Sequence, residues 1–296
     1  MIGIVGTVPD PHFPLTHGII GWDEGRIAVG GRHIDVNRGT PALLAAALKA
    51  SEAVGGPGIY AFLVGDIGKG DGSRTLYRFL AAHLPEFDLR VLTFHYLQPD
   101  ADWHNRVLFA VDDMPRRPIM IADAGFMYAA KMSGQAGAYD FFTPDVGELA
   151  FLSDELAPHP FYTRGFILHR HEDVRDMIHR AYRHENAAVH LLVKGRMDVI
   201  AHKDRVIATV DHPSFPAMEA IGGTGDTLTG LLTTLCGAGF KPMEAAVLAA
   251  RANRRTGHHA QPDPATQVAA LIDKIPQALS DLLDSDSREK THGETL

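Results

Sequence analysis

Apolar and polar positions alternate along this chain in two rhythms. Short, almost wholly apolar runs end in glycine, aspartate or lysine, and longer stretches with helical spacing follow them. "IYAFLVGD" (59–66), "LRVLTFHYL" (89–97), "RRPIMIADAGF" (116–126), the start of "YDFFTPDVGELAFLSD" (139–154) and "AVHLLVK" (188–194) read as buried strands. "RGTPALLAAALKASEAVG" (38–55) and "RTLYRFLAAHL" (74–84) carry apolar residues at helical spacing, with Thr40 as a candidate N-cap and Pro41 suited to the first helical position. Strands buried on both faces and separated by helices predict βαβ units and a mainly parallel sheet covered on both sides, an α/β fold with three layers. "RMDVIAHKDRVIATV" (196–210) reads as a strand pair turning near Lys203-Asp204.

The first 37 residues break this rhythm. "GIIGWDEGRIAVGGRHIDV" (18–36) reads as short strands joined by glycine turns, and residues 1–37 are expected to form a flap or an oligomer contact. Without a clear linker or internal repeat, residues 1–284 are expected to form a single domain. The polar end, "SDSREKTHGETL" (285–296), is expected to be a disordered tail.

Composition narrows the partners. With 28 basic and 36 acidic side chains the formal charge is −8, and no basic run stands out, so nucleic acid is not expected as a partner. An anionic ligand would need a local positive site. The single cysteine, Cys236, rules out an intrachain disulfide. No signal-like start or membrane-length apolar run is present, so the expectation is a cytoplasmic protein with no membrane partner. The expected partners are a nucleotide, a small-molecule substrate and a second copy of the chain. Of the 17 histidines, His169, His171, His179 and His184 fall in a polar helical stretch and read as a solvated face rather than a metal site.

The most informative stretch is "IGGTGDTLTG" (221–230). Leu228, Leu231, Leu232 and Leu235 recur at helical spacing behind it, so Gly222, Gly223 and Gly225 stand at a helix entrance. Free backbone amides and the helix dipole favour an anion there, above all a phosphate. The stretch is neither a Walker A loop nor a dinucleotide fingerprint. Asp226 is a poor phosphate ligand but a reasonable base for a substrate hydroxyl; the plainer alternative is a helix with an acid in its first turn. In "TPDVGE" (143–148), Asp145 and Glu148 are three residues apart and suit either a water-bridged metal ion or a helix cap with its first-turn acid. In "LVKGRM" (192–197), Lys194 ends a strand, where it suits a phosphate or a surface turn equally. Asn253, Trp22 and Trp103 read as surface or packing residues with a possible place near a ligand.

These motifs occur in an order that resembles the ribokinase-like superfamily and, within it, the NAD(P)H-hydrate dehydratase (carbohydrate-kinase-like) family. The stretches that carry the likeness are "VGDIGKGDGSRTLYRFL" (64–80), "PIMIADAGFMYAA" (118–130), "FFTPDVGELAFL" (141–152), "LLVKGRMDVIA" (191–201) and "AIGGTGDTLTGLLTTLCGAGFKPMEAAVLAARANRRTG" (220–257). The resemblance implies an α/β/α sandwich, Asp226 as catalytic base, and ATP or ADP near Gly223, Thr224 and Gly225. It also implies Lys194 beside the nucleotide phosphates, Glu148 beside Mg²⁺, and Gly65, Asp66, Asp123 and Asp145 around the substrate. The chain departs from the family at the substrate end. Asp145 and Val146 stand where the family has His and Pro, Asp66 and Ile67 interrupt the second motif, and of the family's Asp-Ala-Asp-Ala-Leu-Asn Asp123 survives but the second acid and the Asn do not. The resemblance therefore leaves three expectations: repair of hydrated NAD(P)H, phosphorylation of another small hydroxylated molecule, or nucleotide binding without catalysis.

Overall fold

The computed structural model describes residues 1–157 and 173–293, with side chains described as far as residue 285. His169 and His171 lie outside the described residues, whereas His179 is exposed and pairs with Asp204. In chain order the elements are β1 (Ile2–Val8), β2 (Thr16–Ile19), β3 (Gly21–Asp23), β4 (Arg26–Val29), β5 (Arg32–Ile34), α1 (Thr40–Val54), β6 (Ile59–Gly65), α2 (Asp71–His83), β7 (Val91–His95), α3 (Ala101–Asp112), β8 (Ile119–Ala122), α4 (Gly125–Met132), β9 (Phe141–Phe142) and α5 (Val146–Ser153). After them come α6 (Val174–Arg183), β10 (His190–Val193), β11 (Asp198–His202), β12 (Arg205–Val210), α7 (Thr224–Ala238), α8 (Pro242–Ala260), α9 (Val268–Ile272) and α10 (Ile275–Gly293).

Among the described residues the main sheet has nine strands in the order β12-β11-β10-β9-β8-β7-β1-β6-β2. The run from β10 to β6 is parallel; β2 closes one edge antiparallel, and the β11–β12 hairpin closes the other. Successive residues of the parallel strands enter two separate cores, as strand geometry requires. Ile4 of β1, Leu63 of β6, Ile121 of β8 and Leu192 of β10 belong to one core, which α1 and α7–α10 cover. Val5, Phe62, Ala122 and Leu191 belong to the other, on the side of α2–α6. This is the expected three-layer α/β/α sandwich of ribokinase-like type.

Three local expectations are revised. Residues 2–8 belong to no flap: all seven are buried, and β1 lies between β6 and β7 inside the sheet. β3–β5 form a separate three-stranded sheet. The expected disordered tail is helical as far as Gly293, because α10 continues through it. Thr40 is the first residue of α1 and not its cap; Gly39 takes the cap position without a side-chain hydrogen bond.

One buried ion pair ties the elements around the C-terminal ends of the strands. Arg254 of α8 donates through Nε to Asp198 Oδ2 at 2.8 Å. Its Nη1 reaches the Asp211 carbonyl at 3.1 Å, and its Nη2 reaches the carbonyls of Gly195 and Arg196, both at 2.9 Å. The planar fork thus fixes β11 and the turn after β10 at once. Burial raises the Asp198 carboxyl, and Arg254 opposes that rise. An acid whose folded pKa is raised loses stability as pH climbs from its unfolded value toward its folded one. Arg254→Met should therefore cost about 3–5 kcal/mol in urea unfolding, because it strands a buried carboxylate. The loss should be smaller at acidic pH, where Asp198 can take up a proton, and Asp198→Leu in the same chain should recover part of it.

Candidate active site

The C-terminal ends of the parallel strands open into a cleft of about 540 Å³, within the range of small-molecule sites. Asp226 lies at its base, in the first turn of α7. The preceding residue pair explains the turn: Gly223 caps the helix at φ 106°, a conformation that L side chains rarely adopt. The amides of a first helical turn have no intrahelical acceptor, and Thr224 and Gly225 line the cleft.

The carboxylate of Asp226 is turned away from those amides. Its Oδ2 accepts from the Gly39 amide at 2.7 Å, and its Oδ1 faces His95 Nε2 at 3.0 Å. Burial by itself would raise this carboxyl. The His95 hydrogen bond, the Lys194 charge and the Gly39 amide more than offset it, and the group is held below the usual carboxylate range. Asp226 is thus a carboxylate at neutral pH, buried but open to the cleft on one side.

Beside it stands an ion pair. Lys194 Nζ donates to both oxygens of Asp123, at 2.8 and 2.9 Å, and Thr229 Oγ1 donates to Asp123 Oδ2 at 2.6 Å. Burial would lower the lysine, but the Asp123 and Glu148 carboxylates outweigh it and hold the ammonium above its ordinary value. Its backbone amide donates to the Pro144 carbonyl at 2.8 Å, so β10 and the turn after β9 are locked together there. That turn carries Asp145 and Glu148, which form a capping box: Glu148 N donates to Asp145 Oδ1 at 2.7 Å and Asp145 N donates to Glu148 Oε2 at 2.8 Å. The plainer reading of this pair is therefore what the structure shows, and both side chains nevertheless line the cleft. Burial raises the Glu148 carboxyl first, with Asp145 and Asp123 adding to the rise and Lys194 opposing it.

The cleft lining carries six acids, Asp123, Asp145, Glu148, Asp198, Glu219 and Asp226, against Lys194, Arg196 and Arg254. A polyphosphate entering it meets an excess of negative charge, and a divalent cation with hard oxygen ligands fits that donor set. Glu148, whose charge burial disfavours, is the acid best placed to gain from one. The grouping of His95, Asp123 and Asp226 brings potential ligand atoms within 4.8 Å of one another, but those atoms already satisfy each other, Lys194 and Thr229.

Of the residues singled out in the sequence, Asp123, Asp145, Glu148, Lys194, Thr224, Gly225 and Asp226 meet in this cleft, and Gly223 caps the helix that borders it. Gly65 and Asp66 are not among its lining. The Asp66 carboxylate is taken up by its own loop: it accepts from the amides of Gly68, Lys69 and Gly70 at 2.9–3.1 Å and from the Ser73 amide and hydroxyl, both at 2.8 Å. Asn253, read as a surface residue with an alternative place near a ligand, is buried and lines the cleft; it accepts from Thr227 Oγ1 at 2.6 Å and donates to the Thr224 carbonyl at 3.1 Å. Trp22 and Trp103 pack beside Lys49 and Arg106 outside the cleft. His95 and Gly39 escaped the sequence reading. Their partner lies 131 and 187 residues away, and only the polar His95 at the end of an apolar strand marked the place.

The chain is similar to known proteins in sequence and in fold. The profile of the NAD(P)H-hydrate dehydratase family matches residues 100–277. An uncharacterized protein of Methanocaldococcus jannaschii is 38% identical over 242 residues, which is 81% of this chain and all of that one. A bifunctional NAD(P)H-hydrate repair enzyme of Pyrobaculum aerophilum is 31% identical over 164 residues, 54% of this chain but 29% of its own length. The crystal structure of the ADP/ATP-dependent NAD(P)H-hydrate dehydratase of Bacillus subtilis, co-crystallized with ATP and Mg²⁺, superposes with a TM-score of 0.54 at 16% identity, covering 95% of this chain and 92% of that one. Among the described residues no helix is long and apolar enough to cross a membrane. Because that profile matches more than half of the chain, the chain belongs to the NAD(P)H-hydrate dehydratase family.

Proposed function

We propose that the chain is a nucleotide-dependent NAD(P)H-hydrate dehydratase, and that the ionised, half-enclosed carboxylate of Asp226 at the head of α7 carries the chemistry. Asp226 takes the proton of the ring hydroxyl as that oxygen attacks the terminal phosphoryl group of ATP or ADP. The bond from phosphorus to the bridging oxygen breaks, and the nucleotide leaves one phosphate shorter. Phosphate then departs from the ring with a proton from the adjacent carbon, which restores the double bond. The amides of Thr224 and Gly225 face the transferred group, as developing charge requires. Lys194, already paired with Asp123, acts as a fixed positive charge beside them. Glu148 and Asp145 are the residues that would hold Mg²⁺, which supplies charge neutralisation for the phosphates. The Bacillus subtilis structure with ATP and Mg²⁺ supports the choice of nucleotide and metal, and family membership supports the substrate.

The test is recovery of absorbance at 340 nm from hydrated NADH with Mg²⁺ and either ATP or ADP. Asp226→Asn should lower kcat by about 10²–10⁴-fold, the usual share of a general base, with nucleotide binding retained. Nucleotide consumption without recovery, yielding a stable phosphate ester of some other alcohol, would replace this reading by a small-molecule kinase that uses the same residues. Because the Asp226 carboxyl is held below its usual range, the wild-type rate should keep its base down through the ordinary carboxylate range. Glu148 behaves oppositely: with its pKa raised, a proton competes with Mg²⁺ near neutrality. The apparent Mg²⁺ affinity should therefore increase as pH rises, and Glu148→Gln should flatten that dependence while weakening the metal.

A further inference from the structure

Four elements converge behind the Asp226 carboxylate. Gly6 of β1, Thr40 of α1, His95 of β7 and Asp226 of α7 form one buried chain of contacts, and His95 is completely shielded from solvent. Thr40 Oγ1 lies 3.0 Å from His95 Nδ1, and His95 Nε2 lies 3.0 Å from Asp226 Oδ1. From this chain we infer that Thr40 and His95 are positioning residues for the catalytic carboxylate: Thr40 fixes the imidazole tautomer, and the imidazole fixes Asp226. The inference rests on Asp226 acting as the base.

A carboxylate only accepts hydrogen bonds, so the bond to Asp226 places the proton on Nε2. In the neutral ring Nδ1 is then an acceptor, and the Thr40 hydroxyl is the donor that fills it. The opposite tautomer would set a nitrogen lone pair against the carboxylate and leave Nδ1–H competing with the hydroxyl proton. Thr40 is free for this duty because Gly39, not Thr40, holds the cap position of α1. The same two residues therefore grip the carboxylate from both sides. Gly39 donates its amide directly to Oδ2, and Thr40 acts on Oδ1 through the ring.

Space for the arrangement is made at Gly6. A Cβ there would lie 2.4 Å from Thr40 Oγ1, 2.5 Å from Thr40 Cγ2 and 2.8 Å from the His95 carbonyl oxygen. Any side chain at position 6 must therefore push the hydroxyl off the ring. Two other ionisable groups face the imidazole. Asp123 Oδ2 is 3.8 Å from Nε2, but Lys194 and Thr229 already occupy it. The Tyr96 ring stands edge-on, 4.3 Å from the imidazole centroid. Asp226 is thus the nearest acceptor for the Nε2 proton. Because that nitrogen is already protonated, His95 holds the carboxylate and does not receive the substrate's proton.

The experiment joins imidazole nitrogen NMR on ¹⁵N-histidine-labelled protein with the 340 nm assay. Wild-type His95 is expected with its proton on Nε2 and with Nδ1 accepting from the Thr40 hydroxyl. Thr40→Val should shift it toward a mixture of tautomers, and Thr40→Ser should restore it. Thr40→Val and His95→Leu should lower kcat, the latter by about 10²-fold as expected for a misplaced catalytic group. KM for the nucleotide should hold, and the acid limb should move to higher pH as Asp226 loses a donor. His95→Gln, whose amide can replace the Nε2 donor, should recover most of the rate, and Gly6→Ala should mimic Thr40→Val. An Nδ1–H tautomer or an imidazolium in the wild type would overturn the inference, as would wild-type kcat and pH profile in Thr40→Val. If hydrated NADH is not turned over at all, the proposed function fails alone: the tautomer, and its response to Thr40→Val and Asp226→Asn, still decides the positioning role. If His95→Leu does not fold, the comparison of Thr40→Val with Thr40→Ser carries the same decision.

Discussion

A carboxylate withdrawn from water must find donors in the protein or lose its charge. Asp226 finds them on two elements other than its own, the Gly39 amide before α1 and the imidazole at the end of β7. This requirement ties together parts of the chain that nothing in the local sequence connects. It brings the start of α1 against the start of α7, two helices of one layer that pack along their length. It also stations a histidine at the C-terminal end of an otherwise apolar strand. In an open parallel sheet the ligand crevice lies outside the carboxyl ends of the strands, and Asp123, Lys194, Asp145 and His95 all stand at such ends.

The second constraint is charge balance. One lysine is shared between Asp123, which it contacts, and Glu148, which it only partly compensates. The surplus of carboxylates makes the cleft a poor host for a bare polyphosphate and a suitable one for a polyphosphate carrying a divalent ion. Arg254 takes no part in this balance, because Asp198 and three backbone carbonyls engage it. Its role is to hold the wall on which Lys194 and Gly195 sit.

Much of this was legible in the sequence. The alternation of apolar runs with helical spacing gave the layers, and "GGTGD" before a leucine-rich helix gave the site's centre. What escaped did so for physical reasons. "IGIVGTV" is interrupted by two glycines and followed by hairpins, so its place inside the sheet was hidden; Gly6 is there because Thr40 needs the volume that a Cβ would fill. Thr40 has the composition of a cap and spends its hydroxyl on His95 instead. Asn253 sits in a polar helix end, "ARANRRTG", yet its neighbour in space is the first turn of α7. Thr40 and Asn253 are polar residues whose partners are distant in sequence, where periodicity carries no information.

Two glycine-rich loops of the chain show the same point from the side of function. "GDIGKGDG" (65–72) and "IGGTGD" (221–226) each combine glycines, an aspartate and a following helix, and composition cannot rank them. In the first, Asp66 stands ahead of α2 and accepts from the loop's own amides, so the amides that could bind an anion are already satisfied by one. In the second, Asp226 stands inside the first turn, and His95 and Gly39 draw its carboxylate away from its own helix. The amides of Thr224 and Gly225 are thereby left to the cleft, and the acid is left beside them with a lone pair to use. What separates a self-closed loop from one whose amides stay open to the cleft is the origin of the aspartate's donors, and for Asp226 these are the Gly39 amide before α1 and the His95 imidazole at the end of β7.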